Sequence, residues 1–158
     1  MATQARARGA GAGRSATTAG GVGLRILGVM LGVFFVALSL TKIAWFTDTG
    51  ILRNQFQQWL PKAAPAARWF LETVCIPGTP LFARLVPLGE FSAGLALIAG
   101  FWTRMAAVAA CLMVVSFHLA ASDFWSPTFL KDGYGLPVLG GLLAIAIGGS
   151  KLPFSVSR

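Results

Sequence analysis

The stretch LVPLGEFSAGLALIAGF, from Leu85 to Phe101, is apolar almost throughout, yet it contains one carboxylate, Glu90. A run of this length, at 1.5 Å per residue, crosses most of the hydrocarbon core of a bilayer, which is about 30 Å thick. A charge near mid-bilayer costs about 2.5–3.5 kcal/mol on insertion scales. The stretch therefore raises two questions: what surrounds it, and what the glutamate binds.

The composition of the chain answers the first question. Of its 158 residues, 56% are hydrophobic and 11% are charged, whereas soluble domains average roughly 45–50% and about 25%. Too few polar residues remain to cover a set of buried helices with water-facing partners. The sequence therefore predicts an all-α integral membrane protein.

Four segments have the length of transmembrane helices. They cover residues 26–41, extendable to 46 if Lys42 reaches the lipid headgroups, then 85–103, 105–122 and 134–150. We predict a four-transmembrane-helix bundle over residues 24–150, with helices at about 24–46, 84–103, 105–122 and 133–150, and a tight hairpin between the second and third. Residues 1–23, rich in Ala, Gly, Thr and Arg, are predicted to form a disordered basic tail, and residues 151–158 a short C-terminal tail.

The first extracytoplasmic connection contains short amphipathic helices of its own. One is capped at Asp48 or Thr49 and stops at Pro61, with an apolar face formed by Leu52, Phe56, Trp59 and Leu60. Another starts at Pro65 and ends at Pro77, with one side formed by Trp69, Phe70 and Val74. Two arrangements remain open: helices lying in the membrane interface, or a helical hairpin packed over the bundle.

The basic residues favour one orientation in the membrane. With the N-terminus in the cytoplasm, seven Lys and Arg side chains fall on the cytoplasmic side and six on the other, while all five acidic residues fall toward the outside. We therefore expect both termini to be cytoplasmic. The net charge of +8 is interpreted as topology and contact with anionic membrane lipids. No basic patch interleaved with aromatic residues indicates a nucleic-acid partner.

The sequence offers few residues for chemistry of its own. Its single histidine, His118, excludes a bis-histidine haem site within one chain, and no group of His, Cys and carboxylate residues has the spacing of zinc ligands. There is no phosphate-binding glycine loop. We expect no metal and no intrinsic cofactor, and an enzymatic activity only as part of a complex.

Ionisable residues nevertheless lie at similar depths near the outer ends of the predicted spans. Lys42 is about 6 Å from the outer end of the first helix, Glu90 about 8 Å below that of the second and His118 about 6 Å below that of the third. Charged groups in a bilayer normally face the bundle interior and pair. We predict a Lys42–Glu90 ion pair with His118 and Tyr134 as hydrogen-bonding neighbours. The candidate site is the intramembrane polar cluster Lys42, Arg84, Glu90, His118 and Tyr134.

Two members of this cluster have simpler interpretations. Lys42 extends to the lipid headgroups in one of them, and His118 is a neutral side chain bound to a backbone carbonyl in the other. Glu90 is harder to explain in this way because its short side chain reaches less far toward water.

Small residues at a spacing of four indicate close helix packing. Gly28 and Gly32 form a GxxxG pattern in the first span, and Gly140, Ala144 and Gly148 continue the small-xxx-small pattern in the fourth. The pattern supports a tight bundle or a homo-oligomer without choosing between them.

Three stretches carry a resemblance to a known family. LSLTKIAWF closes the first span, GEFSAGLALIAGFWTRMAAVAACLMVV covers the central hairpin, and FLKDGYGLPVLGGLLAIAIGG opens the fourth span. Over residues 24–149 the chain resembles the DoxX family of small four-helix bacterial membrane proteins. The most recognisable positions are Lys42, the Gly89-Glu90 pair, and the turn with Gly100 and Arg104.

The resemblance implies a multi-pass protein of the bacterial inner (plasma) membrane. Relatives with this name, or the related name DoxD, occur as subunits of thiosulfate:quinone oxidoreductase and in membrane complexes with oxidative-stress enzymes. The first hypothesis is thus a subunit of a redox complex with a soluble or membrane partner protein. In it the polar cluster binds a quinone or an anion such as thiosulfate through Lys42 and Arg84, and Glu90 or His118 handles protons. The alternatives are a non-catalytic membrane scaffold and a small-solute transporter.

Overall fold

The chain forms helices and turns throughout the part that the structure describes. The structure is a computed structural model that describes residues 2–124, 126–131, 134–149 and 152–156, and in the first helix the side chains from residue 19 onward. The α-helices are α1 (Ala2–Leu40), α2 (Gly50–Trp59), α3 (Pro65–Phe70), α4 (Thr79–Ala99), α5 (Thr103–Ala121), α6 (Pro127–Lys131) and α7 (Leu136–Gly148). Between them lie 3₁₀ turns at Ile43–Phe46 and Leu60–Lys62 and a π-helical turn at Leu71–Cys75.

Four helices form the bundle. Each of α1 and α5 contacts both α4 and α7, so the four enclose a common core. The side chains buried in this core include Leu31, Phe35, Leu97, Leu142 and Ile145. The predicted all-helical bundle is thereby confirmed for the described residues.

The four helices differ in length. Among the described residues, three helices are long and apolar enough to cross a membrane: Ala19–Leu40 of α1, α4 and α5. The fourth, α7, has 13 residues and is therefore about 20 Å long. The predicted span covered residues 133–150, whereas the regular helix runs only from Leu136 to Gly148.

The helix α1 differs from its predicted bounds at both ends. It begins at Ala2, inside the segment that we predicted to be a disordered tail, and it ends at Leu40, before the predicted residue 46. In residues 1–23 seven alanines favour a helix and six glycines oppose it, so the segment extends a helix that the adjoining span has nucleated. The absence of an apolar period reports on burial and not on backbone conformation.

The α4–α5 connection is a short turn, as predicted. Gly100 ends α4 in the left-handed region with φ 71°, and Trp102 takes φ 44° just before α5. The Phe101 amide donates to the carbonyl of Ala96 at 2.9 Å, which closes the end of α4. The two helices are therefore antiparallel neighbours.

A pair of glycines brings α1 and α4 into backbone contact. A Cβ atom on Gly32 would lie 2.7 Å from the carbonyl oxygen of Gly94, and a Cβ on Gly94 would lie 2.8 Å from that of Gly32. The predicted role of Gly32 in close packing is confirmed, with Gly94 of α4 as its counterpart. Gly140 of α7, by contrast, has nothing within 4 Å of such a Cβ.

The connection between α1 and α4 contains α2 and α3, which form a helical hairpin. This hairpin packs over one end of the bundle, which we call the hairpin end. Leu52 and Phe56 of α2 are buried together with Ala83 of α4 and Ala120 of α5. Of the two arrangements left open by the sequence, the structure therefore has the hairpin packed on the bundle.

The side of the second short helix that packs against the bundle differs from the apolar side predicted from the sequence. Ala67, Leu71 and Cys75 are buried, whereas Trp69 is 62% exposed. The π-helical turn at Leu71–Cys75 accommodates an extra residue. Ala67, Leu71 and Cys75 recur every fourth residue and so share one side of the helix, whereas Trp69 lies about halfway around the helix from Ala67.

Two arginines lie at the opposite end of the bundle, which we call the arginine end. The Arg25 guanidinium donates to the carbonyl of Leu97 at 2.7 Å and also to that of Ile98. The Nε of Arg104 donates to the carbonyl of Ala146 at 2.8 Å. The last four carbonyls of a helix lack partners within it, and this end carries partial negative charge. Each arginine thus stabilises the C-terminus of a neighbouring helix.

We expect Arg25→Ala to lower the free energy of unfolding by about 1.5–3 kcal/mol, the usual range for hydrogen bonds to charged groups. The loss arises because two carbonyls at the end of α4 lose their donor. Equilibrium unfolding in mixed detergent micelles measures it. Arg53→Ala on the exposed side of α2 is the control, with an expected change within about 0.5 kcal/mol. Equal losses in both variants would contradict this role of Arg25.

Candidate functional site

The central contact of the site is an ion pair between Lys42 and Glu90. The Lys42 ammonium donates to both carboxylate oxygens of Glu90, at 2.8 Å and 2.7 Å. The two side chains are 12% and 4% exposed. Lys42 Nζ also lies 5.7 Å from the centroid of the Trp45 ring, within the range of a cation–π contact. The predicted ion pair is therefore confirmed, and Lys42 points inward instead of extending to the headgroups.

Glu90 is deeper along its helix than predicted. The helix α4 starts at Thr79, so Glu90 lies about 16 Å from its beginning instead of the predicted 8 Å. Lys42 follows the end of α1 as the residue before the 3₁₀ turn at Ile43–Phe46. The pair can still form because the first turns of α4 extend past the end of α1 and pack against the hairpin through Ala83 and its neighbours.

His118 is held by two acceptors of different kinds. Its Nδ1 lies 2.8 Å from Oδ1 of Asp123, and its Nε2 lies 3.3 Å from the backbone carbonyl oxygen of Tyr134. A carboxylate and a carbonyl both accept hydrogen bonds, so only the doubly protonated ring donates to both. The predicted hydrogen bond from His118 to the Lys42–Glu90 pair does not form among the described residues.

The ion pair and the histidine nevertheless share one cavity. Its volume is about 170 Å³, and Lys42, Glu90, His118 and Tyr134 all line it. The remaining walls are apolar and largely aromatic, formed by Phe34, Phe35, Leu38, Met113, Val114 and Phe117. The Tyr134 ring lies 5.2 Å from that of Phe34, centroid to centroid. We call this the polar cavity.

Arg84 lies apart from the other members of the predicted cluster. Its side chain is exposed, and its guanidinium donates to the carbonyl of Pro80, one turn earlier in the same helix, at 2.7 Å. Arg84 does not line the polar cavity. The sequence placed it in the cluster because of its position at the start of the span, but α4 continues for five residues before it and turns its side chain away.

Sequence reasoning missed Asp123 as a member of the site. Ser122 takes a left-handed conformation with φ 56° after the end of α5, and the Asp123 amide donates to the His118 carbonyl at 3.3 Å. This turn carries the carboxylate back over the imidazole. The signal in the sequence was an acidic residue five positions after the histidine, directly beyond the end of an apolar helix.

The chain matches one known protein family. Residues 24–154 match the profile of a family described as "TQO small subunit DoxD". No curated protein and no solved structure shows a significant match to the chain. The matching profile is that of DoxD, a DoxX-like family, so the resemblance is confirmed at the level of DoxX-like families and not for DoxX specifically.

The family match and the fold agree on the class of protein. The match covers 24–154 of the 158 residues, and this range includes the apolar helices and the polar cavity. The helices long enough to span a bilayer make it a membrane protein. The chain is accordingly a member of the DoxD family of membrane proteins.

Proposed function

We propose that the protein is the quinone-binding membrane subunit of a complex that oxidises thiosulfate and reduces quinone. In the description of the matching family, TQO stands for thiosulfate:quinone oxidoreductase, and the description supports a role as the small subunit of such a complex. A small subunit in turn implies a partner subunit. The observation that carries the proposal is the polar cavity, in which a buried ion pair and a histidine face aromatic walls inside a membrane bundle. Apolar pockets with a few convergent polar groups are typical of small-molecule sites.

The groups around the cavity fit a quinone ring. Two of the three N–H groups of the Lys42 ammonium bind Glu90, and the third has no acceptor among the described residues. A quinone carbonyl is an acceptor and fits this donor. The rings of Phe34, Phe117 and Tyr134 line the same space and favour a flat conjugated ring between them.

The proton supply is assigned to His118. A bound quinone accepts two electrons and two protons to become a quinol. His118 lies at the cavity wall, and its Nδ1 lies 2.8 Å from Oδ1 of Asp123. The Asp123 side chain is 27% exposed, against 13% for His118, so the pair connects the cavity with the surface. In the proposal the electrons come from thiosulfate oxidised at the partner subunit.

Replacing His118 tests this assignment. We expect His118→Gln to lower thiosulfate-dependent quinone reduction by about 100-fold or more, the usual contribution of a positioned acid or base. The assay uses membranes that contain the whole complex, with the abundance of the chain measured alongside. Arg84→Gln is the matched control, because the Arg84 side chain lies outside the cavity, and we expect it to retain the wild-type rate.

The main alternative, a non-catalytic scaffold, predicts a different result. In that case His118→Gln and Arg84→Gln change the rate only in proportion to the abundance of the complex. Purified wild-type protein would then also retain a stoichiometric partner without binding quinone. Either finding would contradict the proposal.

A further inference from the structure

A second cavity lies at the hairpin end, between the short helices and the adjoining halves of α4 and α5. Its volume is about 260 Å³, and its walls are almost entirely apolar, including Phe56, Phe70, Phe82 and Leu112. The thiol of Cys75 also lines it, and burial raises the pKa of this thiol to about 11. We call this the apolar cavity.

The apolar cavity adjoins the polar cavity. Met113 and Phe117 of α5 line both of them, so these two side chains form a shared wall. Both residues have rotatable side chains, and methionine in particular adapts its shape to irregular spaces. A ligand that displaces these two side chains would extend from one cavity into the other.

The apolar cavity also reaches the outer surface of the bundle. Leu85 of α4 and Leu112 of α5 line it, although they are 52% and 63% exposed. Both residues lie in helices that are long enough to span the membrane. Lipid chains therefore surround the opening, and a hydrocarbon chain can enter from the side.

We propose that the apolar cavity holds the hydrocarbon chain of a lipid-soluble quinone whose ring lies in the polar cavity. The inference rests on the proposed function and adds the substrate class: a quinone with a long isoprenoid or alkyl chain. The polar cavity alone, at about 170 Å³, is smaller than the roughly 300–1,000 Å³ of typical small-molecule sites, and only the two cavities together reach that range. Lipid tails are already apolar, so escape from water does not favour the hydrocarbon chain in the cavity. Close packing against the cavity walls favours it instead.

Photo-crosslinking locates the chain directly. The probe is a ubiquinone analogue with a ten-carbon alkyl chain that carries a diazirine at its end, added to the full-length protein in lipid nanodiscs. We expect mass spectrometry to find adducts on the segments that line the apolar cavity, at residues 82–86 and 112–120. Excess decylubiquinone should suppress them at least tenfold.

A matched pair of variants tests the same point by affinity. Ser116 lies at the exposed rim of the apolar cavity, so Ser116→Phe narrows the opening. We expect it to weaken binding of decylubiquinone about tenfold while leaving the affinity for a ring without a chain, such as duroquinone, unchanged. Leu119→Phe, on a part of α5 that lines neither cavity, should alter neither affinity. Unchanged duroquinone binding shows that the Ser116 variant is folded.

The outcomes separate this inference from the proposed function. If duroquinone binds and the diazirine labels only residues outside the apolar cavity, the chain site is wrong and the ring site stands. If Ser116→Phe and Leu119→Phe weaken decylubiquinone equally, the inference is likewise overturned. Persistent labelling of the cavity by a diazirine phospholipid that decylubiquinone does not displace would make it a lipid site. If neither quinone binds, both proposals fail.

Discussion

Glu90→Gln should lower the free energy of unfolding by about 3–5 kcal/mol, the usual cost of removing one member of a buried ion pair. The loss arises because Lys42, whose side chain is 12% exposed, keeps its charge without a counter-ion. Lys42→Met should cause a loss of similar size by leaving the carboxylate unpaired. Equilibrium unfolding in mixed detergent micelles measures both.

The double variant distinguishes an ion pair from two independent contributions. Lys42→Met with Glu90→Gln removes both charges, so we expect it to be more stable than the sum of the single losses predicts by at least 2 kcal/mol, within the usual range of such couplings. Glu72→Gln on the exposed surface is the control and should change stability by less than about 0.5 kcal/mol. Additive losses at Lys42 and Glu90 would disprove the pairing.

Gly94→Ala should destabilise the bundle by about 2–3 kcal/mol, although alanine is the better helix former. The added methyl would lie 2.8 Å from the Gly32 carbonyl oxygen and 3.0 Å from the Val36 amide nitrogen. These are backbone atoms, so α1 has to move away from α4 along its length. The same unfolding measurement applies. If the polar cavity binds quinone as proposed, loss of quinone binding should accompany the destabilisation, because Glu90 lies on the same helix.

The same substitution elsewhere serves as the control. At Gly140 nothing lies within 4 Å of an added Cβ, and the residue is exposed. Gly140→Ala should therefore leave stability unchanged or raise it by up to about 1 kcal/mol through helix propensity. A destabilising Gly140→Ala together with a neutral Gly94→Ala would show that the helices cross at a different position.

The agreement between sequence and structure is best for properties that depend on composition. The apolar runs predicted membrane helices because a helix without polar residues has no stable place in water, whatever its neighbours are. The same reasoning predicted that Glu90 would be paired, since an isolated charge in an apolar run is costly. Lys42 was identifiable as the partner because it is a cation at the end of another apolar run.

Agreement between the predictions and the structure is poorest where the outcome depends on the starting residue and the axial rotation of a helix. Arg84 was assigned to the polar cluster from its depth, but its direction depends on where α4 begins, and that helix begins five residues earlier than the apolar run indicated. Trp69 was placed on the apolar side of its short helix, but Ala67 and Leu71, one turn apart, are the residues that pack against the bundle. The predicted orientation, with both termini in the cytoplasm, stays a prediction.

The sequence by itself determined that this chain is helical, belongs in a membrane and carries a paired carboxylate, because these follow from local sums of hydrophobicity and charge. The tertiary structure decided which groups meet: Gly32 with Gly94, and His118 with Asp123. It also made Met113 and Phe117 the shared wall of the polar and apolar cavities. The physical reason is that contacts between helices depend on their crossing points and axial rotation. Those are set by close packing of side chains over the whole bundle, which no single segment of the sequence encodes.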